Sequence, residues 1–196
     1  MQLSVDARAK ALIFDLDGTL VDSMPLHLEA WQEICSTFGF DFTEEFFYAR
    51  AGVSSDSIFE EIKVLTGLDF NVHEMAIRKE EIYDAKTNNL QIIDVVVQIA
   101  KDYHGKMPMS IGTGSPGPNS WEAVKKVGLD KYFDILVSKN DVPLPKPAPD
   151  TFLRAAELMG VDPQFIQVFE DGEPGLEAAR SAGMIATDIR PFVNRK

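Results

Sequence analysis

The chain has 196 residues, 45% of them hydrophobic, and a formal net charge of -12. It can bury a substantial core, yet no apolar run approaches the roughly 20 residues of a membrane helix and residues 1–10 lack a signal-peptide segment, so a cytoplasmic globular protein is expected. The acidic balance argues against nucleic acid or an anionic membrane as partner, since both select concentrated positive charge, and the single cysteine, Cys35, excludes an internal disulfide or an intrachain thiolate metal cluster.

The first predicted element is an apolar strand, Ala11–Phe14, which carries Asp15 and Asp17 to its end, where Gly18 permits a sharp turn. An EF-hand loop is excluded, because its glycine stands sixth, after a third ligand, and here it stands fourth. Helical spacing then takes over: Leu26, Leu28, Trp31, Ile34, Cys35 and Phe38 fall near one face, and Gly39 is a natural stop. Further helices are predicted over 44–49, 57–65 and 73–87, with no comparable strand between them. Residues 20–94 therefore read as a helical insertion, with 15 acidic and 5 basic residues. Such acid-rich faces are commonly just solvated, so the charge marks a boundary and not a function. Phe40, Phe42, Phe46, Phe47 and Phe59 are expected to form the core of this unit and Cys35 to be buried, while His73 and His104 are not spaced as a metal pair.

From residue 95 onward helices and strands alternate. Helices are predicted over 95–103, 119–127, Asp150–Met159 and 174–182, and strands over 107–112, 133–137, 165–169 and 184–187. Asn119 is read as a helix cap with Glu122 reaching back, Pro174 as a first helical residue, and Trp121 as packing. The alternation predicts an α/β fold with a parallel five-stranded sheet covered on both faces. The expected organisation is a core of residues 1–19 and 95–196 with residues 20–94 inserted as a small helical domain.

Three segments fall where strands should end, on the same edge as Asp15 and Asp17. Gly112-Thr113-Gly114-Ser115 offers small residues that let backbone approach a ligand, and a hydroxyl that can donate to an anionic oxygen. Lys146 stands between Pro145 and Pro147, which restrict an otherwise mobile loop. Glu170-Asp171-Gly172 follows a strand and opens a helix. Each alone is equally an ordinary turn, a solvated lysine or a helix cap. Together they gather four carboxylates, and such crowding is unfavourable unless a cation is bound; oxygen ligands with positions left for water and phosphate describe Mg2+ better than Zn2+. Cation, hydroxyl and lysine around one point make a phosphoryl site.

Asp15-x-Asp17-Gly18-Thr19, Thr113, Lys146 before Pro147, and Glu170-Asp171 are similar, in order and on the expected elements, to the four motifs of the haloacid dehalogenase superfamily, across residues 10–190. The helical stretch after the first motif resembles the cap of its beta-phosphoglucomutase-like branch. Gly112-Thr113-Gly114-Ser115, Lys146-Pro147-Ala148-Pro149-Asp150-Thr151-Phe152 and Val168-Phe169-Glu170-Asp171 look most like the bacterial fructose-1-phosphate phosphatase type. The resemblance implies a Rossmannoid core with a mobile cap, hinged near residues 20–23 and at Asp94. It implies that Asp15 attacks phosphorus and that Asp17 serves the leaving alcohol as acid and then water as base. It further implies Mg2+ held by Asp15, the backbone carbonyl of Asp17 and Asp171, with Glu170 acting through water, and a phosphoryl group held by Thr113, Gly114 and Lys146. His27, Ser54 and Lys79 are candidate substrate contacts.

Within the superfamily, Asp17 and Asp171 argue against metal-free dehalogenation, and no Schiff-base lysine for phosphonate cleavage is evident. A sugar-phosphate mutase is the competitor, because His27, Arg78-Lys79 and Tyr83 resemble mutase positions. Where the mutase loop reads Gly-Val-Ser-Arg, however, this chain has Gly52-Val53-Ser54-Ser55 and lacks the bidentate clamp for a second phosphate. The expected function is hydrolysis of a small phosphorylated metabolite, a sugar phosphate such as fructose 1-phosphate, by a monomer; a catalytically silent phosphate-binding protein is the alternative outside enzymology.

Overall fold

The computed structural model describes residues 2–50 and 53–193. Five parallel strands form one sheet in the order β3-β2-β1-β4-β5: β1 is Ala11–Phe14, β2 Met109–Gly112, β3 Leu136–Val137, β4 Ile166–Glu170 and β5 Ile185–Asp188. The central strand explains its own sequence. Leu12 and Phe14 enter one apolar cluster with Val97, Ile111, Val124 and Phe169, while Ala11 and Ile13 enter the other with Phe152, Ala155, Val168 and Ala178. A strand covered on both faces reads as a continuous apolar run, with residues alternating between the two sides. The covering helices are α5 (Asp94–Tyr103), α6 (Gly117–Lys126), α7 (Asp150–Met159) and α8 (Glu173–Ser181). Because Phe14 lies beside both Ile111 and Phe169 in the ladder, Asp15, the loop after β2 and the end of β4 emerge together at one edge.

Among the described residues between β1 and α5 stand four α-helices: α1 (Met24–Ser36), α2 (Glu44–Tyr48), α3 (Ser55–Thr66) and α4 (Val72–Lys86). They bury a separate cluster around Trp31, which stacks on Phe42 at 4.9 Å and packs against Phe59 at 4.7 Å; Phe47 is buried there, and Phe40 and Phe46 pack against it. Thr43, Ser54 and Asn71 cap three of these helices by accepting the N–H of Phe46, Ser57 and Glu74, and acidic residues occupy the first turns, where the helix dipole favours them. Cys35 is buried in this cluster, and burial pushes its thiol up to about 12. Trp121 packs at the margin of the sheet core. His73 lies beside Asp56, whereas His104 packs edge-on against Tyr132.

Most sequence-based boundaries shift by one or two residues, and two of the shifts change how the core packs. α6 begins at Gly117, with Pro116 at its cap, because proline is tolerated in a first turn. Asn119 therefore lies inside the helix, and its amide donates to Asp84 of α4 at 2.6 Å, tying core to insert. β3 pairs only at Leu136 and Val137, so Phe133 is core but not ladder. Lys126 also reaches Thr87 at 2.7 Å, and Lys139 pairs with Asp56. Among the described residues no helix is long and apolar enough to cross a membrane.

Candidate active site

At the end of β1, Asp15 is buried. One of its oxygens, Oδ1, accepts from Lys146 Nζ at 2.7 Å, and the other, Oδ2, is shielded from solvent without a hydrogen-bond partner. Lys146, on the loop before α7, also donates to Glu170 Oε2 at 2.7 Å. Glu170 closes its own turn, since Oε1 accepts the amides of Asp171 and Gly172 at 3.1 and 2.9 Å. Asp171 Oδ1 accepts from the Thr19 hydroxyl at 3.1 Å. Two glycines make room: Gly18 adopts a positive φ of 86°, and a β-carbon there would overlap the Asp171 carboxylate, while one at Gly175 in α8 would overlap that of Glu170.

Burial raises Asp15 well above the ordinary carboxyl range, and the neighbouring charges of Glu170 and Asp171 add to it against the opposing pull of Lys146. Burial alone would lower Lys146, but Asp15 and Glu170 overturn this and keep it an ammonium. Carboxylate oxygens of Asp15, Glu170 and Asp171 lie within 4.8 Å of one another. An all-oxygen donor set, one of its oxygens buried and unpartnered, fits a hard divalent cation, which would relieve this excess negative charge.

The Asp17 carboxylate lies apart from that group. Its Oδ1 accepts from Ser23 Oγ at 2.7 Å and meets His27 Nε2 at 3.2 Å, and its Oδ2 accepts from Ser115 Oγ at 2.7 Å. Burial pushes Asp17 upward, but the hydrogen bonds from His27, Ser23 and Ser115 outweigh it and hold the carboxyl below its ordinary value. Lys79 Nζ stands 2.8 Å from His27 Nδ1. Because an ammonium only donates, Nδ1 accepts and Nε2–H faces Asp17. Tyr83 stacks on the His27 ring at 3.7 Å, fixing its plane. Lys79 is buried, whereas Arg78 is exposed.

The Thr113 hydroxyl oxygen accepts the Ser115 amide at 3.0 Å, and Gly114 lies between them. Asp15, Asp17, Thr113, Gly114 and Ser115 form one wall of a cavity whose other wall is the insert, including His27, Trp31, Arg50, Ser55, Lys79 and Glu80. Ser54 is instead buried beside Ser57 as the cap of α3, and Ser55 takes the lining position. Gly52 of the compared loop lies outside the described residues. Sequence reasoning missed Ser23, Ser115, Arg50 and Glu80. Ser115 had a signal, since it closes the small-residue loop; Arg50, in the turn after α2, and Glu80, among the charges of α4, carry no local mark.

Fold and site define a hydrolase built on a five-stranded parallel sheet, with its acidic centre at the strand ends. The profile of the haloacid dehalogenase-like hydrolase family matches residues 12–188, and the chain belongs to that family. Fructose-1-phosphate phosphatase YqaB of Escherichia coli is 38% identical over 93% of this chain and 97% of its own length. Beta-phosphoglucomutase of Bacillus subtilis is 28% identical over 92% and 83%. Among solved structures, beta-phosphoglucomutase from Clostridium difficile superimposes with a TM-score of 0.82 over 92% of this chain and 84% of its own, at 24% identity, a likeness of fold.

Proposed function

We propose that this enzyme is a Mg2+-dependent phosphatase of small phosphorylated metabolites, a sugar monophosphate such as fructose 1-phosphate being the expected type, with residues 20–94 acting as a cap over residues 1–19 and 95–196. The observation that carries the reading is Asp15: a buried carboxylate at a strand end, with Lys146 on one oxygen and no partner on the other. Placed against phosphorus, one oxygen of Asp15 forms the bond of an aspartyl phosphate as the ester oxygen departs, leaving the other for the ion. Asp15, the backbone carbonyl of Asp17 and Asp171 would hold Mg2+, with Glu170 behind them through water, and when bound it supplies positive charge to the phosphoryl oxygens and the attacking carboxylate.

Thr113, the Gly114 backbone and Lys146 orient the remaining phosphoryl oxygens. Asp17 serves the leaving oxygen and then water. Its three donors make it a carboxylate at rest, the form required of a base; a phosphoryl dianion brought beside it favours the protonated form that the leaving alcohol requires. His27 and Lys79 hold Asp17 from the cap side, and Ser54 holds the start of α3 behind the lining.

The test is phosphate release from p-nitrophenyl phosphate and a panel of sugar phosphates with Mg2+, compared with EDTA and with Asp15→Asn. Turnover that survives both controls, or its absence on every ester, would sink the reading. Conversion of glucose 1-phosphate to the 6-phosphate, followed in the same reactions, would favour the mutase; a mutase needs an unengaged cation for its second phosphate, and Arg50, the guanidinium in the cavity wall, is engaged by Glu61.

A further inference from the structure

The cations that line the cavity among the described residues are each matched by an acid. Arg50 pairs through Nε and Nη2 with Glu61 and lies 3.4 Å over the Phe46 ring. Lys79 donates to Glu80 Oε1 at 3.2 Å besides facing His27. Glu80 itself is 8% exposed, and its Oε1 also accepts from Ser55 at 2.6 Å, but its Oε2 is buried with no partner. A desolvated carboxylate oxygen without a donor is unfavourable, and the group most economically supplied to it is a hydroxyl. Glu80 lines the cavity opposite the Asp15 wall, where Met24, Trp31, Phe47 and Ile58 give an apolar floor suited to the C–H face of a polyol.

We propose that Glu80 is a specificity-determining residue whose Oε2 accepts a hydroxyl of the leaving group, selecting phosphate monoesters of neutral polyhydroxy alcohols and rejecting esters with a second anionic group. The inference rests on the proposed placing of the phosphoryl group at Asp15. Two features give it direction. A second anion would find its nearest cations, Lys79 and Arg50, already paired and Glu80 repelling it; a hydroxyl would find an acceptor that has no other donor.

Binding is read from Trp31 fluorescence with Mg2+ in an Asp15→Asn, Trp121→Phe background, so that it does not depend on turnover and comes from one tryptophan. The probes are fructose 1-phosphate, fructose 1,6-bisphosphate and n-butyl phosphate, which has no hydroxyl. Fructose 1-phosphate is expected to bind at least about tenfold tighter than either other probe, the range for a hydrogen bond to a charged group. Glu80→Gln keeps an acceptor for Ser55 and Lys79 but removes the charge, and should shift the bisphosphate-to-monophosphate ratio about tenfold toward the bisphosphate. Glu80→Ala should erase the advantage over butyl phosphate. Ratios that stay within threefold of the parent in both variants, or no binding of fructose 1-phosphate, overturn the assignment and leave Glu80 as a brace for Lys79. Selective binding without phosphate release by the unsubstituted enzyme would instead sink the phosphatase reading and leave this one standing.

Discussion

In the sheet core Lys146 sits 2.7 Å from both Asp15 and Glu170, all three buried, whereas in the helical insert Lys79 lies 3.2 Å from Glu80, which also accepts from Ser55, and 2.8 Å from His27. The core thus concentrates one cation between two acids and leaves net negative charge for an ion to neutralise. The insert instead spreads its charge along a chain of donors ending at Asp17. The difference teaches how the two regions hold charge: the strand ends lock one tightly paired buried cluster, and the insert reaches Asp17 through a string of separate donors.

The comparison is tested first at Asp15. Asp15→Asn should lower turnover by more than about 10^4-fold, as expected for a nucleophile, yet raise the melting midpoint of the metal-free protein, because burial and the charges of Glu170 and Asp171 disfavour the ionised carboxylate there. A rise of about 2–4 °C corresponds to about 1 kcal/mol in a chain of this size; a fall would show that the core is not overcharged. Lys146→Ala strands two buried acids and should lose about 3–5 kcal/mol in urea unfolding, with Mg2+ recovering part of it.

Phe59→Ala removes a fully buried ring from the insert, at about 3–5 kcal/mol. Amide exchange should accelerate in α1, α3 and α4 while β1 and β4 stay protected; equal acceleration throughout would mean that the two regions do not unfold separately. Acid offers a gentler separation. Burial works to raise Glu80, but the charge and hydrogen bond of Lys79 and the hydroxyl of Ser55 outweigh it and hold its folded-state value below the unfolded one. Its contribution is therefore complete above the ordinary glutamate value of about 4.3 and is lost as pH falls through the lowered value. Asp15 has the opposite sign: its folded-state value is raised, so acidification through that range relieves the metal-free core. With Trp121 replaced by phenylalanine, Trp31 fluorescence should thus report loosening of the insert at a higher pH than exchange reports opening of β1 and β4. The smallest effect is expected from Lys139→Ala, which breaks a bridge to Asp56 worth about 0.2–1 kcal/mol; KM should rise a few-fold with kcat little changed.

Much of the core was legible because its rules are local. Ala11–Phe14 is apolar because both faces are covered, and each motif follows a strand, so order along the chain predicts position at one edge. The environment of Asp17 was not legible, because its donors come from places 6, 10 and 98 residues away and only packing unites them. Glu80 was hidden for another reason: it lies in the run Lys79-Glu80-Glu81, which has the composition of a solvated helix face although its first two members are buried. Asn119 was misplaced by a local rule, since Gly117 and Pro118 look like a break in the chain and are instead the first turn of α6.

Gly175 carries no charge and lies on α8, yet its missing methyl is the space in which Glu170 turns toward Lys146. Alanine there would displace the acid, the acid would release the ammonium, and Asp15 would lose the hold on its Oδ1. A hydrocarbon change of one carbon, five residues along the chain from Glu170, is therefore expected to lower turnover as deleting an ionisable group would.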